Sequence, residues 1–86
     1  MDNQTTSMAK LVAKNTFINS KDRSLHSAYV FQTNFLTFEL ENSDRIVLEV
    51  EPAIFSYYIE GDEGLLTYRT DSQPISFVSF RRRKMK

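Results

Sequence analysis

The chain has 86 residues, 41% hydrophobic and 13% aromatic, with eleven Lys and Arg matched by eleven Asp and Glu, one His and no Cys. That length makes one domain near the lower limit for a self-sufficient core, so nearly every large apolar side chain is needed inside. The absence of Cys excludes disulfides, thiolate catalysis and cysteine-ligated metal centres. No apolar run approaches the roughly 18 residues of a membrane-spanning helix.

The zero net charge hides a split. Five of the basic residues fall in the last six positions, RRRKMK, which leaves six basic against eleven acidic residues in the body, a net of −5. An acidic body with a basic tail is the working electrostatic description.

In chain order, residues 1–7 (MDNQTTS) are polar and unpatterned and read as a disordered N-terminal tail. From Met8 to Phe17, Ala9, Leu11 and Ala13 alternate with Lys10, Val12 and Lys14, which predicts a first strand, with an amphipathic helix as the alternative. The polar stretch 18–28 reads as a loop or hairpin tip. Tyr29–Glu41 carries the strongest strand signal: Leu36, Phe38 and Leu40 point one way, Thr37, Glu39 and Glu41 the other. Asn42 and Asp44 suit a tight turn, because their side chains bond nearby backbone. Ile46, Leu48 and Val50 then alternate with Val47, Glu49 and Glu51, completing a β-hairpin with one apolar face.

Pro52 cannot donate to a ladder and can open a helix, so PAIFSYY is expected to form one helical or 3₁₀ turn, with Ile54, Phe55 and Tyr58 as a plug. Gly61 begins a reversal into LLTYRT, where Leu66 and Tyr68 share a face. DSQP turns again. ISFVSF closes the domain, with Phe77 expected on one face and Val78 and Phe80 on the other. The predicted fold is all-β, a small antiparallel, partly open five-stranded β-barrel over residues 8–81 with one short helical turn, followed by a basic tail at 82–86. A compact sandwich is the alternative.

With that order of elements, NSDRIVLEV, EGDEGLLTY and ISFVSFRR resemble an uncharacterised bacterial family of unknown function, whose members set a small β domain after one membrane-spanning helix. The matching positions are Phe38, Asp44, Arg45, Glu60 through Gly64, Leu66, Thr67, Tyr68, and Phe77 with Phe80. Ser43 stands where the family has Gly, TDSQP is longer than the family's closing hairpin, and the spanning helix is missing. The resemblance implies a β fold and a membrane tether upstream. It implies no activity.

The chemistry on offer is sparse. Glu60, Asp62 and Glu63 could gather a hard cation through oxygen ligands, but they lack the spacing of a twelve-residue calcium loop, and glycine at 61 and 64 is what a tight corner needs. The segment is read as a corner, with no metal. His26, with Asp22, Ser24 and Ser27 beside it, lies in one short stretch. A nucleophile and its base normally converge from separate elements, so no catalytic residue is assigned, and no cofactor or small-molecule substrate is expected.

Arg81, Arg82, Arg83, Lys84 and Lys86 could contact an anionic partner, either a membrane surface or, in an alternative reading, nucleic acid with Phe31, Phe35, Tyr57 and Tyr68 as stacking platforms. Phe35, Val47 and Leu65 fall on faces assigned to solvent and are the expected self-association surface. The functional expectation is a non-enzymatic interaction or accessory module, self-associating or binding another protein. It is placed in the cytoplasm, or at a membrane if a hydrophobic segment precedes Met1.

Overall fold

The computed structural model describes residues 4–20, 30–71 and 75–83. Its elements are β1 (Gln4–Ser20), β2 (Val30–Leu40), β3 (Arg45–Val50), α1 (Pro52–Tyr57), β4 (Glu63–Arg69) and β5 (Ser76–Arg82). All pairings are antiparallel, in one sheet of order β3-β2-β1-β4-β5. The predicted all-β fold with one short helix is therefore present. The sheet is open between β3 and β5, its two outer strands.

β1 organises everything else. Its first part, Gln4–Lys10, pairs with β4, and its second part, Ala9–Ser20, pairs with β2, so the two partnerships overlap at Ala9 and Lys10. At about 3.3 Å per residue a 17-residue strand spans roughly 55 Å, comparable to the 51 Å long dimension of the molecule. Residues 4–7, expected in a disordered tail, are the first rungs of this strand, because Gln4–Ser7 pair with Leu66–Arg69. Ile18–Ser20, expected in a loop, continue it opposite Val30–Gln32.

Two irregularities bend the sheet and reassign faces. On β1 the register shifts between Leu11 and Ala13, leaving Val12 as an extra residue. Such a bulge sharpens twist and moves later side chains to the opposite face. Lys14, expected outside with Lys10, instead pairs with Leu36 on the inner face. On β5, Val78 is the extra residue between Phe77, opposite Tyr68, and Ser79, opposite Thr67. Phe77 and Phe80 were expected on opposite faces. The bulge puts both on the inner side, across from Tyr68 and Leu66.

The core lies in the concavity of the curled sheet. Leu11, Leu36, Phe38, Leu48 and Leu66 are fully buried, joined by Ala9, Val50, Tyr58, Tyr68 and Phe80. Each such large side chain contributes about 1.5–3 kcal/mol by leaving water. Phe38 on β2 and Phe80 on β5 are not on neighbouring strands, yet their rings meet at 4.8 Å. This contact ties the two halves together across the interior. The helical turn acts as the expected plug: Ile54 and Phe55 pack against the core, and Pro52 occupies the first turn after Glu51. The only buried polar residue among those described, Asn34, accepts a hydrogen bond at 3.0 Å from the Thr16 hydroxyl.

The β2–β3 turn is built as Asn42 and Asp44 suggested. The Asp44 amide donates to the Asn42 side-chain oxygen at 3.0 Å, and the Ser43 amide to the Leu40 carbonyl at 2.9 Å. Ser43 has φ +76°, a left-handed conformation that costs an L-residue about 1–2 kcal/mol and glycine nothing. Part of that gain is offset by the greater freedom of unfolded glycine, so Ser43→Gly should raise stability by about 0.5 kcal/mol. Urea denaturation would read this as a higher midpoint, and a lower one would contradict it.

Candidate functional site

The two sequence features rich in charge, the EGDEG corner and the basic chain end, meet in space. Together they line an open cleft of about 980 Å³ with walls from Tyr57–Glu63 and from Phe80–Arg83. Gly61, at φ +102°, makes the corner possible. Gly64 serves a different need. An added Cβ there would lie 2.0 Å from the Arg81 carbonyl oxygen, so glycine is required for close approach of β5 rather than for positive φ.

The corner also stitches onto the bulged part of β1. The Leu11 amide donates to the Asp62 carbonyl and the Gly61 amide to the Leu11 carbonyl, both at 2.8 Å. Its three acids diverge. The Glu60 carboxylate accepts the Lys14 amide at 3.1 Å, and the Asp62 carboxylate accepts the Ile59 amide at 2.9 Å. Glu63 lies 3.7 Å from Arg83. Each carboxylate has its own partner, which is the geometry of a corner. Among the described residues, no group of three or more His, Asp or Glu is placed to hold a metal ion.

Arg82 is the centre of the cleft. Its guanidinium reaches Asp62 at 3.3 Å and lies 4.7 Å from the Tyr57 ring centre and 5.6 Å from that of Tyr58. Interaction with Tyr57 is the largest influence holding this group further toward its charged form. Asp62 adds to it, and together they outweigh the opposing loss of hydration. Below it, the Tyr58 hydroxyl donates to the Phe80 carbonyl, and the Tyr58 carbonyl accepts the Lys14 ammonium at 2.8 Å. That ammonium also lies 4.5 Å from the Phe55 ring centre. Burial, more than any neighbouring charge, raises the Tyr58 pKa above its ordinary 10.0.

The expected anionic-partner contacts are thus partly committed. Arg82 is the last residue of β5 rather than the first of a tail, and the Arg83 amide donates to the Glu63 carbonyl at 2.7 Å. Arg82 and Arg83 face acids, while Arg81 is exposed opposite Leu65. Lys84, Lys86 and His26 lie outside the described residues. Of the four aromatics considered as stacking platforms, Tyr68 is buried in the core and Phe35 is half-buried against Phe17. Tyr57 is exposed, and the Phe31 side chain is not among those described.

The expected self-association surface divides. Val47 and Phe35 lie on the outer face, where register makes Val47 the diagonal neighbour of Phe35, since Phe35 pairs with Glu49. Phe17, on β1, is 60% exposed and meets Phe35 edge-on at 5.5 Å. A diagonal apolar stripe therefore crosses β3, β2 and β1. Phe17 was not singled out from sequence, because only the β1–β2 register brings it beside Phe35. Leu65 is elsewhere: it pairs with Met8, seven positions along β1 from Asn15, which is opposite Phe35, a separation of roughly 20 Å.

No family model matches the chain, and no curated protein matches it. A crystal structure of a protein from Proteus penneri ATCC 35198, a Northeast Structural Genomics Consortium target, superposes with a TM-score of 0.77 over 95% of this chain and 98% of that one, at 17% identity. At that identity the likeness is one of fold. Among the described residues, no helix is long and apolar enough to cross a membrane.

Proposed function

We propose that this domain is a non-enzymatic interaction module that self-associates at the β3 side of its sheet. One observation carries this reading: Val47, Phe35 and Phe17 form a diagonal apolar stripe beside β3, an outer strand of the sheet. Scattered exposed apolar residues need no explanation, but a diagonal row of them leading to an open strand edge is what sheet-mediated association uses. The resemblance to tethered bacterial domains is compatible with such a role near a membrane.

The rival reading, a nucleic-acid-binding barrel, asks Arg81–Arg83 and open aromatic faces to act together. It has less support, since Arg82 and Arg83 face Asp62 and Glu63 and Tyr68 is inside. Sedimentation velocity over a concentration series tests the main reading. The expected result is a concentration-dependent dimer, and a strictly monomeric species at high concentration would end it. Oligonucleotide titration at low salt should leave the protein unbound.

A further inference from the structure

We infer that two copies of this chain join edge to edge through β3, antiparallel and centred on Val47, so that their sheets become one. This rests on the self-association reading above and specifies its geometry. The starting point is the direction of the backbone groups. The Leu40 amide donates to the Asp44 carbonyl at 2.7 Å across the hairpin end. In an antiparallel ladder hydrogen-bonded pairs alternate, so Ile46, Leu48 and Val50 bond to β2 through their partners Phe38, Leu36 and Asn34. The amides and carbonyls of Arg45, Val47 and Glu49 then point away from β2 along the open edge. Among the described residues, none of these groups has a backbone partner. The side chains of the same three residues are exposed on the outer face, Val47 by 56%.

The sequence of those three positions is self-complementary. With a second copy running antiparallel about Val47, the two Val47 side chains face each other. Arg45 of each chain then stands opposite Glu49 of the other, because both lie two residues from the centre. Opposite charges in directly facing positions favour a strand pair and like charges oppose it. In this register the outward amides and carbonyls of Arg45 and Val47 face those of Glu49 and Val47 in the other copy, and the Glu49 end, which borders a groove shared with Ile75, Ser76 and Phe77, pairs once that groove opens. Sliding the second copy by two residues in either direction sets Val47 against Arg45 or Glu49, and sliding by four opposes Arg45 to Arg45 or Glu49 to Glu49. Within one chain, Arg45 reaches Glu39 only at 4.0 Å with both groups exposed, so the guanidinium is available to a second carboxylate. Charged residues on an outer strand usually discourage pairing. Here their order favours another copy of the same edge, in the register that sets Val47 against Val47; a two-residue slip that brings Arg45 opposite Glu51 sets Val47 against Glu49 instead.

The test is a charge swap read by sedimentation velocity, with circular dichroism confirming that each variant is folded. Arg45→Glu alone opposes Glu to Glu twice in the dimer, and Glu49→Arg alone opposes Arg to Arg twice. Each is expected to weaken dimerisation by about tenfold or more. A 1:1 mixture of the two single variants restores both opposite-charge pairs between unlike chains and should dimerise like the parent, as should the double variant R45E/E49R. If the parent is monomeric, both this geometry and the self-association reading fall. If the parent dimerises but the single variants dimerise equally well, or neither the mixture nor the double variant recovers, the interface lies elsewhere and only the β3 geometry is overturned.

Discussion

Replacing Tyr58 by Ala should remove about 4 kcal/mol of stability, near the middle of the range for truncating a buried aromatic. Against a total of roughly 4–13 kcal/mol for a domain of this size, that is between about a third and all of the stability. Tyr58 is 8% exposed and lies where three elements meet. It ends α1, its ring packs edge-on against Phe80 at 5.0 Å, and its hydroxyl donates to the carbonyl of Phe80 on β5. Its own carbonyl holds the Lys14 ammonium from β1.

Tyr58→Phe separates the contributions. It keeps the ring and loses only the hydroxyl bond, at a cost of about 1 kcal/mol. The pH dependence has a definite sign. Because the folded-state pKa lies above 10.0, the folded protein keeps this proton more tightly than the unfolded chain. The associated stability is present below about pH 10 and is lost as pH rises through the folded-state value. Urea midpoints measured between pH 8 and pH 11 should fall more steeply for the parent than for Tyr58→Phe. Parallel curves would show that the hydroxyl is not held as described.

Gly64→Ala should cost about 3 kcal/mol, at the upper end of the usual penalty for overpacking. The added methyl would meet backbone, namely the Arg81 carbonyl oxygen at 2.0 Å, the Arg81 carbonyl carbon at 2.8 Å and the Arg82 Cα at 2.9 Å, none of which can rotate aside. Relief requires β5 to move off β4. That displaces Phe80, which is buried against Phe38 and Tyr58, and strains the Arg83–Glu63 backbone bond. The melting temperature should drop by roughly 15 °C, at about 4–8 °C per kcal/mol for a domain this small.

Gly61→Ala is the informative contrast. Nothing lies within 4 Å of the methyl it would add, so only the φ of +102° opposes it, at about 1–2 kcal/mol. Equal penalties at the two glycines, or none at Gly64, would contradict the separate roles assigned to them.

The cleft around Arg82 shows how far sequence reading reached into the candidate site. Both of its walls are legible in the sequence, the EGDEG segment as a corner and Arg81–Arg83 as a basic end. Nothing local to either says that they meet, because the meeting depends on β5 lying beside β4 with Gly64 at the crossing. Phe17 was missed for the same kind of reason. It lies in a stretch with no partner visible in sequence, and only the long β1–β2 register sets it against Phe35.

What the sequence determined by itself was the local grammar: alternation that assigns inner and outer faces on β2, β3 and β4, an Asn–Ser–Asp turn between β2 and β3, and Pro52 as the end of one strand and the start of a helical turn. These follow from backbone geometry within a few residues, where side chains alternate with a period of two and Pro lacks an amide hydrogen. The tertiary structure alone decided the bulges at Val12 and Val78, which turn Lys14 and Phe77 inward, the extension of β1 from Gln4 to Ser20, and the open edge of β3. A bulge is a mismatch between two paired strands, so it exists only when both partners are in place. Period-two patterning cannot announce where its own phase will slip.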